Sequence, residues 1–319
     1  MLSARLTLAA RNNLIEGPVL LVCPPADTDL SDLTGDIAVY HEDQPEHGHY
    51  AATYPMRDRI EGPAGTVIVS IPRARDAARD RIARAKATGA RVFVDGQKTD
   101  GIDGILKECR KLGETGEVIS KAHGKLFAIE AGDFSGWIRD SSTTAEGFVT
   151  PPGGFSADGV DPGSALLIDA LPSLKGSVAD LGAGWGALSA AVLSRSPEIR
   201  FCALIEAHKP SLDCARKNVS DPRVTFHWAD ARTWRPDAKL DHVITNPPFH
   251  KGRSADPGLG RAFLQTAAAS LGPRGTLWLV ANRHLPYERT LADLFREVED
   301  LPGTNAYKLT RASRPVTPR

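Results

Sequence analysis

The sequence predicts an α/β protein made of two tandem, related domains, each with a mostly parallel sheet covered by helices. Three observations predict it. Short β-rich runs alternate with helix-like segments through the second half of the chain. A weaker version of the same rhythm runs through the first half, and the two halves can be laid over each other. The 319 residues leave room for two cores of ordinary size.

In the first half the strand-like runs are 19–23 (VLLVC), 37–40 (IAVY), 66–71 (TVIVSI) and 92–95 (VFVD). Between the last two lies RARDAARDRIARAKATG, an Ala/Arg helix ended by Gly89. In the second half the runs are 178–181 (VADL), 201–205 (FCALI), 224–227 (VTFH), 241–245 (DHVIT) and 276–281 (TLWLVA), with helices at 187–194 and 209–218. VIVSIPRARDAARDRIARAKATGARVFVDG overlays VITNPPFHKG…FLQTAAASLGPRGTLWLVAN, which reads as an internal duplication. A stretch rich in Gly, Ser, Thr and Pro runs from Asp133 to Gly154. The expected division is therefore a first domain over 1–135, a linker over 136–154 and a second domain over 155–319. The final RASRPVTPR is expected to fray.

Composition narrows the class. The hydrophobic fraction is 41% and the charged fraction 24%, as in a soluble globular chain, and Lys+Arg and Asp+Glu are both 39. A general nucleic-acid glue would be basic. The charge is nevertheless uneven: residues 1–150 carry 18 Lys+Arg against 22 Asp+Glu, and residues 151–319 carry 21 against 17. The positive field thus lies on the half that carries the motifs below. Cys23, Cys109, Cys202 and Cys214 form no CxxC pair and read as buried, reduced thiols. No apolar run approaches membrane-spanning length, so a cytoplasmic location is expected.

The first motif is Asp180-Leu181-Gly182-Ala183-Gly184-Trp185-Gly186, between the strand VADL and a helix. Glycines let the backbone turn sharply and approach a ligand with no Cβ in the way. The spacing is GxGxG rather than the GxGxxG of dinucleotide sites, and it is similar to the loop of class I methyltransferases. Glu206 ends the next strand, FCALIE, with Ala207 after it. A carboxylate there can accept both hydroxyl hydrogens of a ribose. Asp230, followed by Ala231, comes after the strand VTFH. It can accept from an adenine amine or act as a helix N-cap.

Asn246-Pro247-Pro248-Phe249, after the strand DHVIT, is the most informative motif. An exocyclic base amine is a poor nucleophile because its lone pair is delocalised into the ring. Accepting hydrogen bonds from both of its N–H groups pulls the nitrogen toward sp³. The lone pair then points at a methyl group on a sulfonium. The Asn246 side-chain oxygen and the Pro247 carbonyl are the expected acceptors. Two prolines stiffen the loop, and Phe249 offers a face for stacking the base. No cysteine lies near the loop, which argues against carbon-5 pyrimidine chemistry through a thiolate adduct. No spacing of His, Cys or Asp suggests a metal.

In this order the motifs resemble those of class I S-adenosylmethionine-dependent N-methyltransferases. The stretches GGFSADGVDPGSALL (153–167), TNPPFHKG (245–252), VANRHLPYERTL (280–291) and VFVDGQKTDGIDGILKEC (92–109) are similar to the bacterial ribosomal RNA small subunit methyltransferase C family. That resemblance implies two tandem Rossmann-like class I methyltransferase domains, the N-terminal one degenerate. It implies S-adenosyl-L-methionine as cofactor, bound only by the second domain, and N2-methylguanine in small-subunit (16S) ribosomal RNA as product. It also implies that Phe155, Asp158 and the Gly159–Ser164 segment help close over the cofactor. Phe249, His250, Lys251, Arg253 and Arg283 are the expected substrate contacts. The partner would be ribosomal RNA within the small subunit. A chain that supplies its own pseudo-dimer is expected to be a monomer.

The residues of the first half agree with a degenerate domain. Pro24-Pro25-Ala26-Asp27 stands where a glycine loop would follow VLLVC, and Ile71-Pro72-Arg73 where NPPF would follow TVIVS. Its Arg73, Arg75, Arg79, Arg81 and Arg84 could touch RNA phosphates or form a solvated helix face broken by Asp76 and Asp80. Four rival functions stay open on the motifs alone: large-subunit guanine-N2, adenine-N6 and protein glutamine-N5 methylation, and a non-catalytic RNA-binding assembly factor.

Overall fold

The computed structural model describes residues 2–248, 250–251, 254–255 and 257–316. The chain divides into two compact units. The first comprises Met1–Asp140 with Pro152–Gly154, the second Ser141–Pro151 with Phe155–Arg319. The segment expected as a linker is therefore shared between the units.

The first unit runs α1 (Leu2–Arg11), β1 (Val19–Val22), β2 (Ile37–Tyr40), α2 (Gln44–Ala51), β3 (Met56–Arg57), β4 (Thr66–Ser70), α3 (Arg75–Ala87), β5 (Arg91–Gln97), α4 (Ile102–Leu112), β6 (Gly113–Lys121) and β7 (Gly124–Gly132). Its sheet order is β3-β2-β1-β4-β5-β7-β6. The first five strands are parallel, and β7 is antiparallel to both neighbours. The runs VLLV and TVIVS are buried throughout because helices cover both faces of a parallel sheet. Alternate residues feed two cores: Leu20 and Val22 one, Val19 and Leu21 the other. The Ala/Arg helix α3 ends where expected, with Gly89 at a φ of 77°.

The second unit opens with a small hairpin, β8 (Ser142–Thr143) and β9 (Val149–Thr150). Then come α5 (Pro162–Ala170), β10 (Gly176–Leu181), α6 (Ala187–Arg195), β11 (Ile199–Glu206), α7 (Lys209–Asn218), β12 (Val224–Trp228), β13 (Leu240–Thr245), the short ribbon β14 (His250–Lys251) and β15 (Ser254–Ala255), α8 (Pro257–Ser270), β16 (Leu271–Asn282), α9 (Glu288–Leu294), β17 (Phe295–Leu301) and β18 (Tyr307–Pro315). The sheet order is β12-β11-β10-β13-β16-β18-β17. Position for position this is the order of the first sheet, with the last pair again antiparallel. Both units are thus Rossmann-like, with the strand order of class I methyltransferases.

One expectation needs correction. The stretch RASRP does not fray: it belongs to β18, which is hydrogen-bonded to β16 on one side and β17 on the other. Leu309, Thr310, Ala312 and Ser313 are buried, so the strand is held from both sides despite its charge. Residues 317–319 lie outside the described residues. Among the described residues no helix is long and apolar enough to cross a membrane.

Candidate active site

The order β12-β11-β10-β13 places the C-terminal ends of four parallel strands side by side. Asp180, Glu206, Asp230 and Asn246 lie in or just after those ends, in the crevice where open α/β sheets bind ligands. The Thr245 hydroxyl donates to the Leu181 carbonyl at 2.7 Å, tying β13 to β10 just before Asn246.

The glycine loop follows β10. Gly182, Gly184 and Gly186 have φ of 76°, 56° and 91°, all in the left-handed region. At Gly186 an added Cβ would lie 2.9 Å from Val219 Cγ2, so this glycine packs the start of α6 against α7. At Gly184 an added Cβ would meet nothing within 4 Å among the described residues, so here the bare backbone borders open space. The Gly182 and Ala183 amides both donate to the Ile205 carbonyl, at 2.9 and 3.0 Å. The Asn218 side chain holds the loop from the other side, donating to the carbonyls of Trp185 and Val149 at 2.8 Å. The Trp185 indole donates to the Phe155 carbonyl at 3.0 Å, while the Phe155 ring is 65% exposed.

Asp180 is fully buried. Ser189 donates to its Oδ2 at 2.7 Å, and its Oδ1 has no hydrogen-bond partner. Desolvation, reinforced by the nearby Glu206 charge and only partly offset by Ser189, pushes its carboxyl up to about 7. Glu206 is held by two backbone donors, Gly184 N to Oε2 at 2.8 Å and His208 N to Oε1 at 2.7 Å. A carboxylate has about four acceptor positions, so both oxygens can accept more than one donor at once. Ala207 accepts the Trp228 indole N–H at 2.6 Å. Asp230 accepts from the Arg232 amide at 2.8 Å and pairs with its guanidinium at 2.7 Å, while Ala231 beside it is buried. An adenine amine at Asp230 would therefore compete with Arg232.

Asn246 is half-buried. Its Nδ2 donates to Asp161 Oδ2 at 2.8 Å and to Ser164 Oγ at 2.9 Å. A carboxylate only accepts, so the branch of the amide facing Asp161 must be the NH₂, and Oδ1 occupies the other branch. Pro247 is buried and Pro248 exposed. Pro248 Cδ lies 3.9 Å from where a Cβ on Gly182 would be, so this loop borders the glycine loop. Phe249 and Arg253 lie outside the described residues, and His250 and Lys251 are described only as the backbone of β14. Arg283 donates through Nε to the Thr304 carbonyl at 2.8 Å and through a terminal nitrogen to the Tyr307 carbonyl at 3.3 Å. It holds the turn before β18. Asp158 and Gly159 belong to the segment after β9, where the Ser156 hydroxyl donates to the Gly159 carbonyl at 2.8 Å.

Sequence reasoning missed the grip of Asp161 and Ser164 on Asn246. The signal available was Asp161-Pro162, an N-cap followed by proline at the first helical position. It announced a helix start and nothing about a residue 85 positions away.

The first unit has register equivalents of these positions. Val22 pairs with Tyr40 and Val69, as Leu181 pairs with Ile205 and Thr245. Cys23, His41 and Ser70 therefore stand where Gly182, Glu206 and Asn246 stand. Cys23 even keeps a positive φ of 52°. His41 Nδ1 accepts the Asp43 amide at 3.0 Å, much as Glu206 accepts that of His208. Arg81, 8% exposed, reaches in from α3, pairs with Glu42 and donates to the Ser70 carbonyl at 3.4 Å. A buried ion pair thus fills the first unit's counterpart of the crevice. His41, Asp43 and Glu46 come within 4.8 Å of one another, and the His41 Nδ1 lone pair is already engaged by the Asp43 amide.

The methyltransferase small domain model matches residues 146–311, the bulk of the second unit. Ribosomal RNA small subunit methyltransferase C of Shewanella loihica is 31% identical over 233 residues, covering 69% of this chain and 68% of that protein. The chain belongs to the ribosomal RNA small subunit methyltransferase C family. Another member, from Alteromonas mediterranea, is 26% identical and covers 92% of this chain and 84% of its own length. A solved T. thermophilus 16S rRNA N2 guanine methyltransferase, in complex with AdoMet and guanosine, covers 94% of this chain and 88% of its own. It is 25% identical, with a TM-score of 0.78. Similarity to the small subunit methyltransferase C family thus extends over both units.

Proposed function

We propose that the chain transfers a methyl group from S-adenosyl-L-methionine to the exocyclic N2 amine of a guanine in small-subunit ribosomal RNA. It acts as a monomer, and only its second unit holds cofactor. The observation that carries this reading is Asn246, placed beside the glycine loop with its amide orientation fixed by Asp161. Membership of the family and the likeness to a guanine-N2 enzyme support the substrate.

The crevice fits the cofactor. The open space at Gly184 lets backbone come close to a ligand, and the Glu206 carboxylate beside it favours a cationic molecule. The loop from Asp180 through Gly182, Ala183, Gly184 and Gly186 would hold the amino-acid part. Glu206 with Ala207 would hold the ribose, and Asp230 with Ala231 the adenine, with Phe155 closing over the site. When bound, the cofactor supplies an electrophilic methyl group on a sulfonium. Asn246 Oδ1 and the Pro247 carbonyl accept the two N–H hydrogens of the guanine amine and localise its lone pair. The proton becomes acidic only as positive charge forms on nitrogen, so no strong base is required. Phe249 stacks the base, and His250, Lys251 and Arg253 engage the RNA around it.

The test is transfer of labelled methyl from S-adenosylmethionine to unmodified small ribosomal subunits, with large subunits as control. Label recovered as N2-methylguanine on small subunits alone is the expected result. Label on large subunits, on adenine N6 or on a protein amide would replace the substrate. Cofactor binding without any transfer would move the substrate elsewhere, and no cofactor binding would favour an assembly factor.

A further inference from the structure

The site contains a carboxylate with two separable tasks. Asp161 Oδ2 accepts the Ser164 amide at 2.9 Å, which caps α5, and the same oxygen accepts Asn246 Nδ2 at 2.8 Å. We infer that Asp161 is a positioning residue for methyl transfer: it presents Asn246 Oδ1, rather than Nδ2, to the amine. The inference rests on the reading of Asn246 as the amine's acceptor.

The argument is one of hydrogen-bond polarity. A primary amide has two branches of nearly equal shape, one accepting and one donating. With Nδ2 facing the substrate, the amide would meet the amine with a donor, which withdraws nothing from its N–H groups and repels them. A rotation of half a turn about the last side-chain bond separates the working orientation from the failing one. Ser164 Oγ cannot choose between them, since a hydroxyl donates as readily as it accepts. Asp161 can, because its carboxylate oxygen has no hydrogen to give. The negative charge has a second effect: it draws on the Nδ2 hydrogens and polarises the amide, leaving Oδ1 a better acceptor. Asp161 touches Asn246 and has no need to touch base or cofactor, so its contribution belongs in kcat rather than in cofactor affinity.

Two substitutions separate positioning from capping in the full-length chain. Asp161→Ser keeps a preferred N-cap but is shorter by one atom, so it caps α5 without reaching Asn246. Asp161→Asn keeps a carbonyl oxygen in place of Oδ2 and so retains both bonds without the charge. Methyl transfer to unmodified small subunits, the KM for S-adenosylmethionine and thermal melting would be measured for each.

Asp161→Ser should lower kcat by about ten- to hundredfold, the range of a lost charge-assisted hydrogen bond, with KM for cofactor within about twofold of wild type. Asp161→Asn should recover most of that loss. Ser164→Ala, which spares the cap oxygen, should cost less than Asp161→Ser. Wild-type kcat in Asp161→Ser overturns the inference. So does an Asn variant as slow as the Ser variant, or a kcat loss that only follows a lower melting temperature. Asn246→Ala run alongside tells the two readings apart. If it is inactive while Asp161→Ser is normal, only the role of Asp161 falls; if it turns over normally, the role of Asn246 falls and takes this one with it.

Discussion

Glu206 Oε2 accepts the Gly184 amide at 2.8 Å, so the end of β11 and the glycine loop after β10 hold each other in place. The carboxylate assigned to the ribose is therefore fixed by the same loop that is assigned to the amino-acid end of the cofactor. Glu206→Ala should weaken S-adenosylmethionine binding by about 1–3 kcal/mol, from lost charge-assisted hydrogen bonds and a loosened loop. Titration calorimetry reads the change directly, and unaltered affinity would remove Glu206 from the site.

Gly184 tests the open space at the loop. Its φ of 56° is costly for a residue with a Cβ, yet no atom of the described residues stands in the way of one. Gly184→Ala should cost about 1–2 kcal/mol of stability from the backbone alone. Cofactor affinity should fall by more than that, because the methyl group occupies space assigned to the ligand. Melting curves with and without S-adenosylmethionine separate the two effects.

Asn246→Ala should abolish transfer and leave cofactor affinity nearly unchanged, since the amide is assigned to the base. Single-turnover transfer and equilibrium cofactor binding, measured on the same preparation, check both halves. Retained transfer would end the proposed mechanism.

Asp180 gives the fold a pH dependence of definite sign. Its carboxyl is pushed up to about 7 in the folded chain, against 3.8 for the free group. Between those values the folded state holds a proton that the unfolded state has released, so this residue's contribution to stability declines as pH rises and levels off above about 7. Asp180→Asn removes the buried charge and keeps an acceptor for Ser189. In the absence of cofactor, its melting temperature should gain on wild type as pH rises from 4 to 7, then run parallel. A gain that is constant across pH would contradict the assignment.

Arg81→Met probes the filled crevice of the first unit. Removing one member of a buried ion pair leaves Glu42 poorly compensated, and about 3–5 kcal/mol of stability should be lost. Cofactor affinity should not change, because the proposed cofactor residues all belong to the second unit. A loss of affinity in a chain that is still folded would reopen the role of the first.

What the sequence made legible follows from the range of the forces involved. VLLV, TVIVS and DHVIT were readable as strands because a parallel sheet covered on both faces favours β-branched and apolar side chains there. The glycine loop and Asn246 were readable because they are local in sequence. The charged β17, FREVEDL, and the mixed β6, GETGEVISK, escaped notice: both are edge strands with mostly exposed residues, and no pattern marks them. The hairpin of β8 and β9 looked like linker because its Ser and Thr residues are polar. One of its anchors is a side chain far along the chain, since Asn218 bonds both the amide and the carbonyl of Val149. The hold of Asp161 on Asn246, and of Arg81 on Glu42, depends on the folded arrangement and not on spacing.

The placement of β18 between β16 and β17 carries a consequence for solubility. β17 reaches the sheet only through β18. Were Tyr307–Pro315 peeled away, the edge of β16 would lie bare along LWLVA, a flat apolar run with no charge to blunt it. Such an edge is a template for strand addition from another molecule. The polar ribbon of β17 and β18, with Glu297 and Glu299 paired to Arg314 and Arg311, thus acts as a cover against aggregation.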